Sequence, residues 1–247
     1  MSMMSSTVVR TARWIRALPY RGSGRFCPIC EAEAKTFRPF GNPQRSDSLC
    51  WRCYSLERQR FLWYFLETRC KPNYSNDAGF LHVAPESCLA VGLRRWYPKG
   101  YVSADLLRDD VDVTLDITNS HLPDEQFDLI CCSHVLEHVE DDRAAIREIY
   151  RMLKAGGTAL LMVPITEEVT YEDPNVTSPE ERQEKFGQSD HVRAYGRDFV
   201  DRVAEVAGDQ LSVVRPVDIL DRDSLLRMGI NDRAGEIYVM RKPRANG

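Results

Sequence analysis

Four cysteines stand in two pairs, Cys27-Pro28-Ile29-Cys30 and Cys50-Trp51-Arg52-Cys53, with 19 residues between the pairs. Two thiolates two residues apart can grip one side of a tetrahedral ion, and a second pair closes the other side. The spacing therefore predicts one Zn2+ ion held by Cys27, Cys30, Cys50 and Cys53. Four thiolates leave no open coordination position, so such an ion is structural rather than catalytic. A redox CxxC would need a single motif on a strand-to-helix turn, and here there are two. Cys70, Cys88, Cys131 and Cys132 are scattered, and the last two lie in an apolar run. Buried free thiols suit a reducing compartment, which points to a cytoplasmic protein.

A second group of chemistry-bearing residues consists of acids and imidazoles: Glu86, Asp105 and Asp116, then His134, His138 and His191. Histidine is the side chain whose ordinary pKa suits proton transfer near neutrality. His191 lies in a long polar stretch, flanked by Asp190 and Arg193, where charges of both signs can tune a pKa.

These residues need elements to hold them. Phe127–Cys132 is an almost continuous apolar run, which reads as a strand buried on both faces. Ser133 and His134 follow at its carboxyl end, and Glu137 and His138 come one turn later. From Asp141 to Leu153, apolar residues recur at Ala145, Ile146, Ile149, Tyr150, Met152 and Leu153, the helical period. Gly156-Gly157 is expected to stop that helix, and Thr158–Val163 reads as a second buried strand. The unit is strand, helix, strand, a right-handed crossover with polar residues at the switch point. Phe80–Ala84, Tyr101–Asp105 and Val113–Ile117 read as further strands upstream. Downstream, Gly196–Ala207 reads as a helix and Leu211–Val217 and Glu236–Lys242 as strands. Residues 165–195 are too long for an ordinary connection and read as a lid or substrate wall containing a short helix, Pro179–Phe186. Asp218–Arg233 is a second polar connection of the same character.

The run from Phe127 to Pro164, with its "LEHV" turn and "LKAGG" helix end, resembles the fourth and fifth strands of class I S-adenosylmethionine-dependent methyltransferases. The string "LHVAPE" after the paired CxxC motifs is similar to a bacterial subset of that family with an N-terminal zinc ribbon. The resemblance implies a Rossmann-like α/β fold, a seven-stranded sheet in the order 3-2-1-4-5-7-6 with the last strand antiparallel. It implies S-adenosylmethionine as cofactor, bordered by His82, Ala84, Pro85, Glu86, Asp105, Leu106, Asp116, Ile117, Ser133 and His134. In the family, an acid at the end of the second strand accepts from the ribose hydroxyls, the place of Asp105; Asp116 and the Ile117 backbone fall beside the adenine. The chain departs from the family where a Gly-x-Gly-x-Gly loop is usual: Ala84-Pro85-Glu86-Ser87 contains no glycine. Pro85, Glu86 and Ser87 suit a helix start, and Glu86 either faces the cofactor ammonium or favours the helix dipole. The implied activity is methyl transfer to a hydroxyl or amine of a small-molecule or sugar acceptor, with His191 favoured as base ahead of His134 and His138. Two rivals stand beside it: an RNA methyltransferase whose ribbon holds RNA, and a non-catalytic scaffold with a decayed methyltransferase fold.

The charge distribution supports two modules. The net charge is −4, but residues 1–75 hold 13 Lys/Arg against 5 Asp/Glu, leaving the remainder at −12. We assign a basic N-terminal segment at 1–24, a zinc ribbon with a docking helix at 25–70, and a methyltransferase domain at 79–247. The docking helix is Leu56–Leu66, followed by a turn-rich linker, Lys71–Gly79. Apolar residues make up 43% of the chain, enough for a core, with no run long enough to predict a membrane span. The start of the chain lacks the pattern of a secretory signal.

Overall fold

The computed structural model describes residues 18–244. Most of the basic segment 1–24 lies outside the described residues. The chain forms two compact units: the described residues through Arg69 together with Pro216–Ala234, and Cys70–Arg215 together with the chain from Gly235.

The first unit contains two short hairpins. Strand β1 (Arg25–Cys27) pairs with β2 (Ala32–Ala34), and β3 (Arg38–Phe40) with β4 (Arg45–Leu49), both antiparallel. One cysteine pair starts at the end of β1 and the other directly after β4. Glu31 and Tyr54, the residues that follow the two pairs, both take left-handed backbone, at φ 57° and 62°. Their amides return to the carbonyls of Cys27 (2.8 Å) and Cys50 (3.1 Å), so the two knuckles repeat one turn. Helix α1 (Glu57–Phe65) follows and carries a fully buried Arg60. A buried guanidinium needs acceptors for its donors. Arg60 donates to the carbonyls of Ser48 (2.9 Å), Ser55 (2.7 Å), Met228 (2.6 Å) and Gly229 (2.8 Å). Its guanidinium carbon also lies 4.2 Å from the centre of the Phe37 ring. Residues 218–233, expected to form a substrate wall, belong instead to this first unit, because Met228 and Gly229 complete the Arg60 acceptor set. Gly229 sits at φ 58°, and a Cβ there would come within 2.7 Å of Phe37.

The second unit is built on a sheet. In chain order its strands are β5 (Phe80–Val83), β6 (Tyr101–Asp105), β7 (Val113–Thr114), β8 (Phe127–Ser133) and β9 (Leu153–Met162). After an insertion holding β10 (Ile165–Glu167), β11 (Tyr171–Glu172) and β12 (Arg193–Gly196), it continues with β13 (Leu211–Val214) and β14 (Ile237–Arg241). The seven strands lie in the order β7-β6-β5-β8-β9-β14-β13, with β14 antiparallel to both neighbours and the pairs from β5 to β9 parallel. Counted along the sheet, that order is 3-2-1-4-5-7-6. Helices α2 (Ser87–Trp96), α3 (Asp142–Met152) and α5 (Phe199–Ala207) accompany it, and α4 (Pro179–Phe186) lies in the insertion. The core joins Leu81, Ile130, Ile146, Leu161, Phe199 and Met240.

Several elements differ from expectation, among them the strand expected over Leu211–Val217, which ends at Val214 with Pro216–Ile219 helical. Helix α3 ends at Met152, four residues before Gly156, and β9 opens with a bulge: Phe127 pairs with Leu153, but Leu129 pairs with Thr158. Gly156, at φ 82°, serves that bulge rather than a helix end. The third sheet strand is only Val113–Thr114 instead of extending to Ile117, because Asp116 accepts from the amide (2.9 Å) and hydroxyl (2.7 Å) of Thr118 and turns the chain. Gly196 ends β12 rather than starting a helix, and the insertion forms a small sheet in the order β10-β12-β11.

Candidate functional site

Register brings three strand ends level. Val83 pairs with Ala104 on one side and with Cys132 on the other. The next residues on these adjacent strands are Ala84, Asp105 and Ser133, so the carboxyl ends of β5, β6 and β8 form one ledge. Crevices at this end of an open parallel sheet are where such folds bind ligands.

Each residue of the ledge has a distinct setting. Ala84 takes left-handed backbone at φ 47°, a conformation that normally favours glycine, and Pro85 follows at once. The turn takes this left-handed conformation without a glycine. Asp105 accepts through Oδ1 from the amides of Leu107 (2.8 Å) and Arg108 (3.1 Å), which leaves Oδ2 outside that turn. Arg108 in turn donates to the Pro85 carbonyl at 2.8 Å, tying the β5 and β6 turns together. Leu106 is exposed, Ile117 is buried, and Asp116 is exposed with its pKa held down by the Thr118 hydroxyl and amide. Ser133 is buried, and its Oγ has no hydrogen-bond partner among the described residues. A buried hydroxyl without a partner is costly unless something else fills that role.

His82 and Glu86 act as a pair. His82 is fully buried, with Nδ1 2.9 Å from the Tyr101 hydroxyl and Nε2 3.0 Å from Glu86 Oε2. Glu86 precedes α2 without capping it through its side chain, so its carboxylate is held by His82.

Beyond Ser133 the chain makes a short turn of 3-10 helix, Leu136–His138. His134, at φ 55°, donates its amide to Met162 and places Nδ1 3.1 Å from Glu137 Oε1. Arg193 on β12 clamps the turn, donating to the carbonyls of Leu136 (3.0 Å), Val139 and Glu140 (2.8 Å). The Val192 amide bonds the Glu137 carbonyl at 2.9 Å. This ladder carries the neighbouring His191 onto the turn, where it meets His138 with ring centroids 4.7 Å apart. Burial pushes the His191 pKa down and keeps the ring neutral. Its Nδ1 lies 3.2 Å from the Phe186 carbonyl, while Nε2 has no partner among the described residues. Behind the turn, buried Asp142 accepts from Tyr195 (2.7 Å) and Arg202 (2.9 Å), and Glu172 binds both Arg193 (2.9 Å) and Arg202 (3.0 Å).

The structure therefore groups Ala84, Pro85, Glu86, Asp105 and Ser133 at one ledge and His134, Glu137, His138 and His191 beside its β8 end. The sequence reading names Arg193 only as a charge beside His191, not as a clamp on three carbonyls, and it gives Asp142 and Arg202 no part in building the site. An Arg-x-Tyr pair on a strand, which points both side chains to one face, was the available signal.

In the first unit the four thiols converge. Cys27 Sγ lies 3.5 Å from Cys53 Sγ, Cys30 Sγ lies 3.7 Å from Cys50 Sγ, and all four fall within 4.8 Å of one another. Thiolates 2.3 Å from a tetrahedral ion stand about 3.8 Å apart, so the set fits zinc. Hydrogen bonds among the close thiols push the Cys27 pKa down and the Cys30 and Cys53 pKa values up, so the four ionise together only with a cation among them. The Arg52 amide points to Cys50 Sγ at 3.4 Å, and Ser55 Oγ lies 3.3 Å from Cys27 Sγ and 3.2 Å from Cys53 Sγ.

Residues 99–161 match a family described as methyltransferase domain. That segment runs from β6 through β9 and carries Asp105, Asp116 and the Ser133–His138 turn, so the chain carries the central part of a methyltransferase domain. Over 45 residues it is 47% identical to a ubiquinone biosynthesis O-methyltransferase of Pseudomonas putida, covering 18% of this chain and 19% of that protein. Over 40 residues it is 50% identical to the ubiquinone/menaquinone biosynthesis C-methyltransferase UbiE of Xanthomonas oryzae, covering 16% of each. The chain thus matches less than a fifth of the length of these curated relatives. Among solved structures, a phosphoethanolamine N-methyltransferase of Haemonchus contortus, in complex with phosphomonomethylethanolamine and S-adenosylhomocysteine, aligns at a TM-score of 0.49 and 14% identity, over 75% of this chain and 53% of that one. The YcgJ protein of Bacillus aligns at 0.48 and 16%, over 76% and 100%. Among the described residues, no helix is long and apolar enough to cross a membrane.

Proposed function

We propose that this chain is an S-adenosylmethionine-dependent methyltransferase acting on a hydroxyl or amine of a small-molecule or sugar acceptor. The carrying observation is the position of Asp105: an acid at the end of the second sheet strand, inside the matched segment, with one carboxylate oxygen tied to backbone amides and the other outside that turn. An ionised acceptor facing two vicinal hydroxyls gives strong, charge-assisted hydrogen bonds. When bound, S-adenosylmethionine supplies an electrophilic methyl group on a sulfonium. Asp105 would take the ribose hydroxyls, the chain at Asp116 and Ile117 would border the adenine, and Ala84, Pro85 and Ser133 would border the remainder. Glu86, held by His82, is the acid available to an ammonium group.

The protein's own task is then to orient the acceptor and relieve it of a proton. His191 offers a neutral ring with an unpartnered Nε2; His138, in ring contact with it, and His134, bonded to Glu137, are the alternatives. Zinc in the cluster of Cys27, Cys30, Cys50 and Cys53 would hold the first unit folded and take no part in the reaction. The test is a transfer assay with methyl-labelled cofactor over hydroxyl- and amine-bearing small molecules and sugars, with RNA as a comparison. Label in small acceptors supports the reading; label confined to RNA contradicts it.

A further inference from the structure

The atoms around the His138–His191 contact show an unfilled polar demand. One ligand atom each from Glu137, His138 and His191 lies within 4.8 Å of the other two. Glu137 is only 1% exposed; His134 occupies its Oε1, and Oε2 has no hydrogen-bond partner among the described residues. His191 is 4% exposed. Its Nδ1 faces the Phe186 carbonyl, which can only accept, so Nδ1 carries the proton and Nε2 presents a lone pair. That Nε2 is likewise buried without a partner. A carboxylate oxygen and an imidazole lone pair are both acceptors, so they cannot satisfy each other without an added proton or cation. Leaving both unfilled in a buried site is costly.

We propose that Glu137, His138 and His191 bind a divalent first-row transition-metal ion, at a site separate from the cysteine cluster. Two imidazoles and one carboxylate are a ligand set that such ions accept while keeping open positions. Each ligand also has an outer partner of the kind that fixes metal-binding groups. His134 holds Glu137, the Phe186 carbonyl holds His191, and the Asp190 carbonyl and carboxylate lie 3.3 Å from His138 Nδ1, leaving its Nε2 for the ion. His138 is exposed, which gives the ion a path in. Ligands at 2.0–2.2 Å from an ion stand roughly 3–4 Å apart, so closing the set takes side-chain shifts on the order of 1 Å.

What the ion does there rests on the methyltransferase reading. An acceptor hydroxyl bound at an open position loses its proton to solvent more readily. Its oxygen then forms the bond to the methyl carbon as the carbon–sulfur bond breaks, and sulfur keeps the electron pair. With the ion in place His191 is a ligand, and acidification by the metal replaces its action as a base.

The experiment titrates the zinc-loaded full chain with Co2+ and follows its visible absorption. The expected result is one equivalent bound with the bands of nitrogen and oxygen ligation and no sulfur-to-metal charge transfer, and roughly tenfold or weaker binding in Glu137→Gln and His191→Gln. His138→Gln, at an exposed position, gives the same loss without disturbing a buried residue. The proposal is overturned if the folded parent binds no Co2+, if charge-transfer bands show exchange into the cysteines alone, or if all three folded variants bind like the parent. Calorimetry with the cofactor, performed without added metal, judges the methyltransferase reading separately.

Discussion

His138 and His191 meet edge to face, with ring planes at 85° and centroids 4.7 Å apart. One belongs to the turn after β8 and the other to the insertion, and the contact exists because Arg193 and Val192 lace β12 onto that turn. The insertion is therefore bonded to the turn after β8 rather than standing clear of it.

Arg193→Lys should lower the stability of the second unit by roughly 1–3 kcal/mol, since a single ammonium cannot serve three carbonyls and Glu172 together. Hydrogen exchange should quicken at residues 136–140. Unchanged exchange there would show that the clamp does not hold the turn.

Arg60→Met should destabilise the first unit by roughly 3 kcal/mol or more, because four carbonyls lose their buried donor. Protease sensitivity should rise around residues 48–55 and 228–229 together. A rise in only one of these segments contradicts the shared anchor.

Cys50→Ser should release zinc measured by a colorimetric chelator and loosen the same unit, while leaving cofactor binding within a few-fold of the parent. Full zinc retention in this variant would remove the four-cysteine assignment.

Acid stability gives a fourth test. Glu148 accepts from Arg151 and from the hydroxyl and amide of Ser120, and its pKa is lowered to about 2 from the ordinary 4.5, chiefly by the Arg151 hydrogen bonds. A depressed folded-state pKa means the contribution is fully present above the ordinary value and is lost as pH falls through about 2. Glu148→Gln should therefore lower stability at pH 6 and flatten its fall between pH 4.5 and 2. Parallel curves for parent and variant would contradict this.

The strands at Tyr101–Asp105 and Phe127–Cys132 and the helix at Pro179–Phe186 were legible because apolar runs and caps are local signals. The paired cysteines were legible because each CxxC is a local spacing, and the fold brings their four thiols within 4.8 Å of one another. The shortened third strand was hidden in one hydrogen-bonded turn at Asp116. The bulge at Gly156 looked like a helix stop because glycine serves both. The placement of 216–234 could not be read locally, since it depends on the acceptors that Arg60 finds far along the chain. The same holds for His191, whose neighbours come from the turn after β8 and from α4.

We propose that the ledge at Ala84, Asp105 and Ser133 holds S-adenosylmethionine. Isothermal titration calorimetry of the full chain with S-adenosylmethionine and its demethylated product tests it most directly. The account predicts one site per chain for both. It also predicts weakening by roughly 1.5–3 kcal/mol in Asp105→Ala, the range for hydrogen bonds to a charged group, and by less in Asp116→Ala. No binding of either compound by the folded parent, or parent-like binding in both variants, would contradict it.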